Sequence, residues 1–258
     1  MKNYKTSLGY GLVMVMIGLC PLILGVIVTS IFKSPELETV IVPVCYLLGG
    51  TLCLLFAGKM LKVDIKSHVS KPETATLVLV IIAAIGWALA DVFLVNRESL
   101  LASEQDSYSA MDYIGAFIMA FISPTAEELI FRLGALTVML AGANGSKVKT
   151  VLSVVFTILP WMLIHFPKTS KRAVDIVLVG TVISLIYIAS KNVVYAIAFH
   201  MTANCVTALS MFTFRFLLAH NILLYVGIAM FVVAMPVAIV KMCRENSGSF
   251  RTMVTAAE

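Results

Sequence analysis

Pro124-Thr-Ala-Glu-Glu-Leu-Ile-Phe-Arg132 carries three charged side chains inside a run that is otherwise mostly apolar, Met111–Leu140. An ionised side chain near the centre of a bilayer costs on the order of 3 kcal/mol, so charges there need an internal partner or a function. In a helix, Glu128 and Arg132 stand four residues apart and can form an ion pair. Glu127 is rotated by about 100° from Glu128, so we expect it to lack a partner and to point at another group.

The composition of the 258-residue chain is that of a polytopic membrane protein. Hydrophobic residues make up 60% and charged residues 13%, about half the charged share of a typical soluble protein. The five cysteines are odd in number and lie mostly in apolar segments, which argues against a disulfide framework and for small packing residues. The net charge of +5 is spread over loops and ends without interleaved aromatic residues, which argues against nucleic acid as a partner.

Apolar segments recur along the whole chain, and each can cross a bilayer as a helix. They predict an all-α, polytopic fold of about eight transmembrane helices in a single membrane domain over residues 1–258, with a fifth segment so short that it can end within the membrane. The segments are Leu8–Phe32, Thr39–Met60, Ala75–Val95, Met111–Leu140, Thr150–Ile164, Val174–Ser190, Val193–Phe212 and Ile222–Met242.

The basic residues of the short loops predict the orientation. If the spans alternate, the loops around Lys62, Lys147 and Lys191 and the C-terminal segment from Lys241 share one side, which should be the cytoplasm. The sequence therefore predicts an integral, multi-pass membrane protein with both termini in the cytoplasm. The loop around Lys171 disagrees with this pattern, because it lies on the nominally outer side.

Polar side chains also occur in the later spans. His165 closes the fifth segment, and His200 and Asn204 stand four residues apart on one helix face. One interpretation is structural, since such groups can hydrogen-bond a neighbouring helix for about 1 kcal/mol each. The other is catalytic: Glu127 can take a proton from water that a histidine orients, while His200 and Asn204 donate to an oxyanion.

Two features of the fourth span favour a structural interpretation. The Glu128–Arg132 pair neutralises itself on one helix face and supports the site rather than reacting. Ser123-Pro124 predicts a kink or a restart of the helix, because proline lacks the backbone N–H. Backbone groups freed there could open a wet pocket beside Glu127.

The later spans carry three motifs in this order: Glu127-Glu128-x-x-x-Arg132, Trp161-x-x-x-His165 and His200-x-x-x-Asn204. These motifs resemble those of the CAAX protease and bacteriocin-processing (CPBP, or Abi) family, which includes the Ras-converting CAAX endopeptidase. The matching region is about residues 111–212, the predicted catalytic core. The second motif usually opens with Phe where this chain has Trp161, and Leu133 separates Arg132 from a glycine that usually follows directly.

The resemblance implies an intramembrane, glutamate-dependent endopeptidase whose helices surround a water-filled catalytic cavity. Glu127 would be the catalytic carboxylate and His165 its partner in activating water. His200 and Asn204 would form the oxyanion site, with Glu128 and Arg132 in support. The implied partners are the lipid bilayer and a membrane-associated peptide or protein substrate, such as a prenylated tail, a pheromone or bacteriocin leader, or a regulator.

The sequence leaves three matters open. The resemblance implies that no cofactor is required, but Glu127, His165 and His200 could also form a three-ligand site for a divalent metal such as zinc. A non-catalytic immunity or regulatory protein could use the same scaffold to bind peptides or partner proteins. A proton-coupled transporter is a third hypothesis, although the chain shows no repeat of the kind common in transporters.

Overall fold

The computed structural model describes residues 4–33, 35–95, 97, 110–219 and 221–255. The structure is 89% helical and the described residues contain no strand, which confirms the all-α prediction. Eight described helices are long and apolar enough to cross a membrane, as the sequence predicted. These helices indicate an integral multi-pass membrane protein, while the cytoplasmic placement of the termini stays a prediction.

The fourth span is continuous from Tyr113 to Ala143 because a π-helical segment, Leu129–Leu136, joins two α-helices. A second π-helical turn, Phe56–Met60, extends the second helix. The α-helices are α1 (Tyr4–Phe32), α2 (Pro35–Leu55), α3 (Thr74–Leu94), α4 (Ala110–Glu128), α5 (Thr137–Ala143), α6 (Lys147–Ile164), α7 (Ser170–Ser190), α8 (Val193–Ala219) and α9 (Ile222–Thr255).

The described residues group into two compact units. The first takes in those up to His68 and those from Tyr113 to Thr181, and the second takes in the segments between and after them. The division falls within α7. A single membrane domain stays a prediction.

In the first unit, α1 and α2 approach each other backbone to backbone. A Cβ atom added to Gly49 would clash with the carbonyl oxygen of Gly18, and small residues at such crossings let membrane helices pack closely. The buried core beside them includes Met14, Ile130 and Cys53. The cysteines that the structure describes are all free, and Cys53 acts as the small packing residue that the sequence predicted.

In the second unit, α3 and α9 pack through a similar contact. A Cβ atom on Gly86 would lie 2.6 Å from the carbonyl oxygen of Gly227. Polar contacts also join these two helices at the start of α3. There Glu73 caps α3 by accepting a hydrogen bond from the Thr76 N–H at 2.6 Å. The Lys241 ammonium of α9 lies 2.6 Å from the same Glu73 carboxylate.

Helix α4 does not restart at Pro124, so the restart is wrong, while the kink that the same two residues predicted stays a prediction. The helix continues through the proline to Glu128, and the Thr125 hydroxyl donates to the carbonyl of Phe121 at 2.8 Å. Membrane helices tolerate an internal proline where side-chain hydroxyls and neighbouring helices satisfy the backbone. The departure from α-helical geometry comes later, at Leu129.

Candidate active site

Glu127 is buried near the end of α4 and is held at both carboxylate oxygens. Oε1 accepts a hydrogen bond from the Ser123 hydroxyl, one helical turn earlier. Oε2 accepts from the indole N–H of Trp161 on α6 at 2.6 Å. The prediction that Glu127 lacks a partner is therefore wrong, because the i−4 serine and a second helix both supply donors.

A third hydrogen-bonding group comes from α2. The Tyr46 phenol makes side-chain hydrogen bonds with Ser123 and Glu127. Burying a carboxylate is costly unless donors compensate it, and this set of donors provides that compensation. The sequence carried a signal for Ser123, which stands at i−4 on the same face, and for Trp161, since a buried indole N–H usually finds an acceptor. It carried none for Tyr46, which lies far away in the chain.

The ion pair predicted from the i,i+4 spacing is formed. Arg132 Nη1 lies 3.1 Å from Glu128 Oε1, and both side chains are buried. Nη2 of the same guanidinium donates to the carbonyl oxygen of Gly180 on α7 at 3.1 Å. The guanidinium carbon also lies 5.0 Å from the centre of the Trp161 ring, within cation–π range. Arg132 thus links α4, α6 and α7 beside Glu127.

The π-helical segment begins directly after Glu128 and sets the position of the next glycine. A π-helical segment accommodates one extra residue within an otherwise α-helical run. At its end, Thr137 donates both its N–H and its hydroxyl to the carbonyl of Arg132. Gly134 then lies so close to Cys53 that a Cβ atom would clash with the Cys53 sulfur. The extra residue Leu133 is therefore compatible with close helix packing.

His165 lies directly after the last residue of α6 and faces the same carboxylate. Its Nδ1 lies 2.7 Å from the carbonyl oxygen of Trp161. Because a carbonyl only accepts, this hydrogen bond requires a proton on Nδ1, so the neutral ring presents Nε2 as an acceptor. Nε2 lies 3.9 Å from Glu127 Oε2, and the side chain is 28% exposed.

The spacing of Glu127 and His165 suits a shared water molecule. A distance of 3.9 Å is too long for a direct hydrogen bond. Two atoms that far apart can each lie about 2.8 Å from one water oxygen, an ordinary hydrogen-bond length. The pair can therefore bind and polarise one water molecule, with the carboxylate and the imidazole both able to accept its proton.

The structure brings Glu127, Glu128, Arg132 and His165 together within the first unit. His200 and Asn204 lie one helical turn apart on α8, in the second unit. The His200 side chain is buried. Their role as oxyanion donors stays a prediction.

The geometry does not favour the three-ligand zinc site. Among the described residues, no group of three His, Cys, Asp or Glu side chains is placed to hold a metal ion. Both Glu127 oxygens are engaged by the donors Ser123 and Trp161. Ligand atoms about 2.0–2.2 Å from a tetrahedral zinc ion lie closer together than the 3.9 Å between the carboxylate and the imidazole. The residues as they stand do not fit that centre, and the absence of a required cofactor stays a prediction.

These features define a helical membrane protein with a buried, hydrogen-bonded glutamate beside a partly exposed histidine. Residues 109–206 match the family model described as type II CAAX prenyl endopeptidase Rce1-like. This match confirms the resemblance to the CPBP, or CAAX protease, family over that part of the chain, and all six predicted site residues fall inside it. A protease family supports classification as a peptidase. Neither the curated proteins nor the solved structures give a match.

Proposed function

We propose that this protein is an intramembrane endopeptidase that hydrolyses peptide bonds of a membrane-associated peptide or protein. The family match supports peptidase chemistry. One observation carries the mechanism: the buried Glu127 carboxylate lies 3.9 Å from the partly exposed His165 Nε2. This pair holds the attacking water molecule.

The reaction begins when Glu127 and His165 polarise that water and Glu127 accepts its proton. The water oxygen bonds to the carbonyl carbon of the scissile peptide, which becomes tetrahedral and carries an oxyanion. Collapse of this intermediate breaks the C–N bond, and the held proton passes to the leaving amine. The products are a new carboxyl terminus and a new amino terminus, with one water consumed. No step requires a metal.

The supporting residues fix the geometry of the carboxylate. Ser123 and Trp161 restrain its two oxygens, and the Glu128–Arg132 pair anchors the helix on which it lies. In the proposal, His200 and Asn204 donate hydrogen bonds to the oxyanion. Those two roles rest on the family resemblance alone, since both residues lie in the second unit.

The test is peptide cleavage by purified protein in detergent or vesicles. The probes are internally quenched peptides with a prenylated Cys-aliphatic-aliphatic-X tail and, for comparison, unprenylated leader-like peptides, with products identified by mass. Removal of a general base is expected to lower kcat by about 10²- to 10⁴-fold, and removal of an oxyanion donor by about 10²- to 10³-fold. The variants are Glu127→Gln, His165→Ala, His200→Ala and Asn204→Ala.

Two matched variants control for the loss of a charge or an imidazole elsewhere. Glu245→Gln removes an exposed carboxylate, and His68→Ala removes a histidine outside the three motifs. Both should cleave like wild type. The proposal would be contradicted if folded wild-type protein cleaves none of the probes, or if the motif variants cleave as fast as wild type. Either result would favour the peptide-binding alternative. Loss of activity with a chelator, reversed by zinc, would contradict the metal-free mechanism.

A further inference from the structure

We propose that Trp161 is a positioning residue that aligns both Glu127 and His165. Its catalytic consequence rests on the proposed function, whereas the alignment itself is a property of the folded protein. Trp161 contacts each partner through a different group. The indole N–H donates to Glu127 Oε2 at 2.6 Å, and the backbone carbonyl accepts from His165 Nδ1 at 2.7 Å.

These two contacts act on the two side chains that face each other. Glu127 Oε2 is the carboxylate oxygen that lies 3.9 Å from His165 Nε2. The hydrogen bond to Nδ1 fixes the tautomer and the orientation of the imidazole, and the indole N–H fixes the position of Oε2. One residue thus sets both sides of the gap that holds the water molecule.

The indole itself has little freedom to move. Trp161 is buried, with 1% of its surface exposed. A Cβ atom at Gly180 would lie 2.8 Å and 2.9 Å from two carbons of the six-membered ring, so glycine at this position lets α7 press against the indole. The Arg132 guanidinium lies over the ring, 5.0 Å from its centre. The N–H direction is therefore determined by packing on two sides.

Replacement by phenylalanine separates the hydrogen bond from the packing. Trp161→Phe keeps an aromatic ring and the carbonyl that binds His165, but it removes the donor to Oε2. The freed carboxylate can then rotate away or move towards the imidazole, which closes the gap for water. We expect kcat to fall by about tenfold to a hundredfold, with KM unchanged.

The chain offers a matched control in its second tryptophan. Trp87 packs edge-on against Phe231 at 5.1 Å within the second unit. Trp87→Phe makes the same chemical change there. It should leave kcat and KM as they are in the wild type.

A spectroscopic test does not depend on turnover. Labelling with ¹⁵N-tryptophan gives two indole N–H signals, because the chain holds two tryptophans, and Trp161→Phe and Trp87→Phe assign them. We expect the Trp161 signal to lie downfield and to move upfield in Glu127→Leu, which has no acceptor, while the Trp87 signal stays in place. If Glu127→Leu does not fold, Glu127→Gln serves as the second variant. It keeps an acceptor oxygen and should give a smaller upfield movement.

The outcomes separate this inference from the proposed function. A Trp161 signal that is unchanged in the folded Glu127 variants would overturn the alignment. Wild-type kcat in Trp161→Phe, or a change confined to KM, would overturn the positioning role. If the wild type cleaves no probe but the Trp161 signal moves as expected, the protease proposal fails and the alignment stands.

Discussion

The buried ion pair of α4 yields a prediction whose size follows from the structure. Arg132→Met leaves the Glu128 carboxylate buried without its cation, and the two charges lie 3.1 Å apart. At an effective dielectric constant of about 20, Coulomb attraction over that distance is about 5 kcal/mol. Breaking a buried pair by removing one partner typically costs about 3–5 kcal/mol. We therefore expect Arg132→Met to lower the free energy of unfolding by about 3–5 kcal/mol.

A partly exposed pair on α7 provides the comparison. Arg172 lies 2.8 Å from Asp175; the Arg172 side chain is 38% exposed and the Asp175 side chain 10%, against 1% and 0% in the Arg132–Glu128 pair. Ion pairs that reach solvent are weaker than fully buried ones, so Arg172→Met should cost less than Arg132→Met. The double variant Glu128→Leu/Arg132→Met removes both buried charges and should cost less than the two single variants together.

The assay is unfolding in mixed micelles of detergent and SDS, followed by circular dichroism. The measured quantity is the free energy of unfolding for wild type, each single variant and the double variant. If Arg132→Met is no more destabilising than Arg172→Met, the expected cost of breaking the buried ion pair is refuted. A double variant that costs the full sum of the single variants would refute the coupling between the two charges.

Three further predictions concern packing and pH. A hydrogen bond from Lys241 lowers the pKa of Glu73 from an ordinary 4.5 to about 2. A carboxylate whose pKa is lowered in the folded state stabilises the fold above its ordinary pKa, so the melting-temperature advantage of wild type over Glu73→Gln should shrink as the pH falls from about 4.5 towards 2. An advantage that stays constant down to pH 2 would contradict this. Gly134→Ala should lower the free energy of unfolding by about 1–3 kcal/mol through its clash with Cys53, and adding Cys53→Ala should restore part of that stability. A Gly134→Ala variant that unfolds thermally like wild type would argue against this contact. Gly86→Ala should destabilise comparably against α9, measured the same way, and a neutral variant would contradict the packing.

The sequence predicted the features that depend on local patterns. Long apolar runs predict membrane-spanning helices because the bilayer sets their length, and the described part of the chain contains the eight expected. The i,i+4 spacing of Glu128 and Arg132 predicts an ion pair because those positions adjoin on any α-helix. The order of the three motifs led to the family whose model matches residues 109–206.

The features that the sequence did not predict depend on contacts between helices. Hydropathy does not distinguish a π-helical segment from an α-helix, so the segment after Glu128 carried no signal. Pro124 suggested a restart because the pattern does not show whether neighbours support the backbone. The partners of Glu127 come partly from α2 and α6, and only Ser123 could have been identified from spacing.

The most direct test of the central proposal is the single-turnover rate of probe cleavage by Glu127→Gln, measured beside wild type and Glu245→Gln in the same vesicles. The isosteric amide keeps the size of the side chain but cannot take a proton from water. We predict a rate about 10²- to 10⁴-fold below wild type, with Glu245→Gln unchanged. Cleavage by Glu127→Gln at the wild-type rate would contradict the assignment of Glu127 as the carboxylate that activates water.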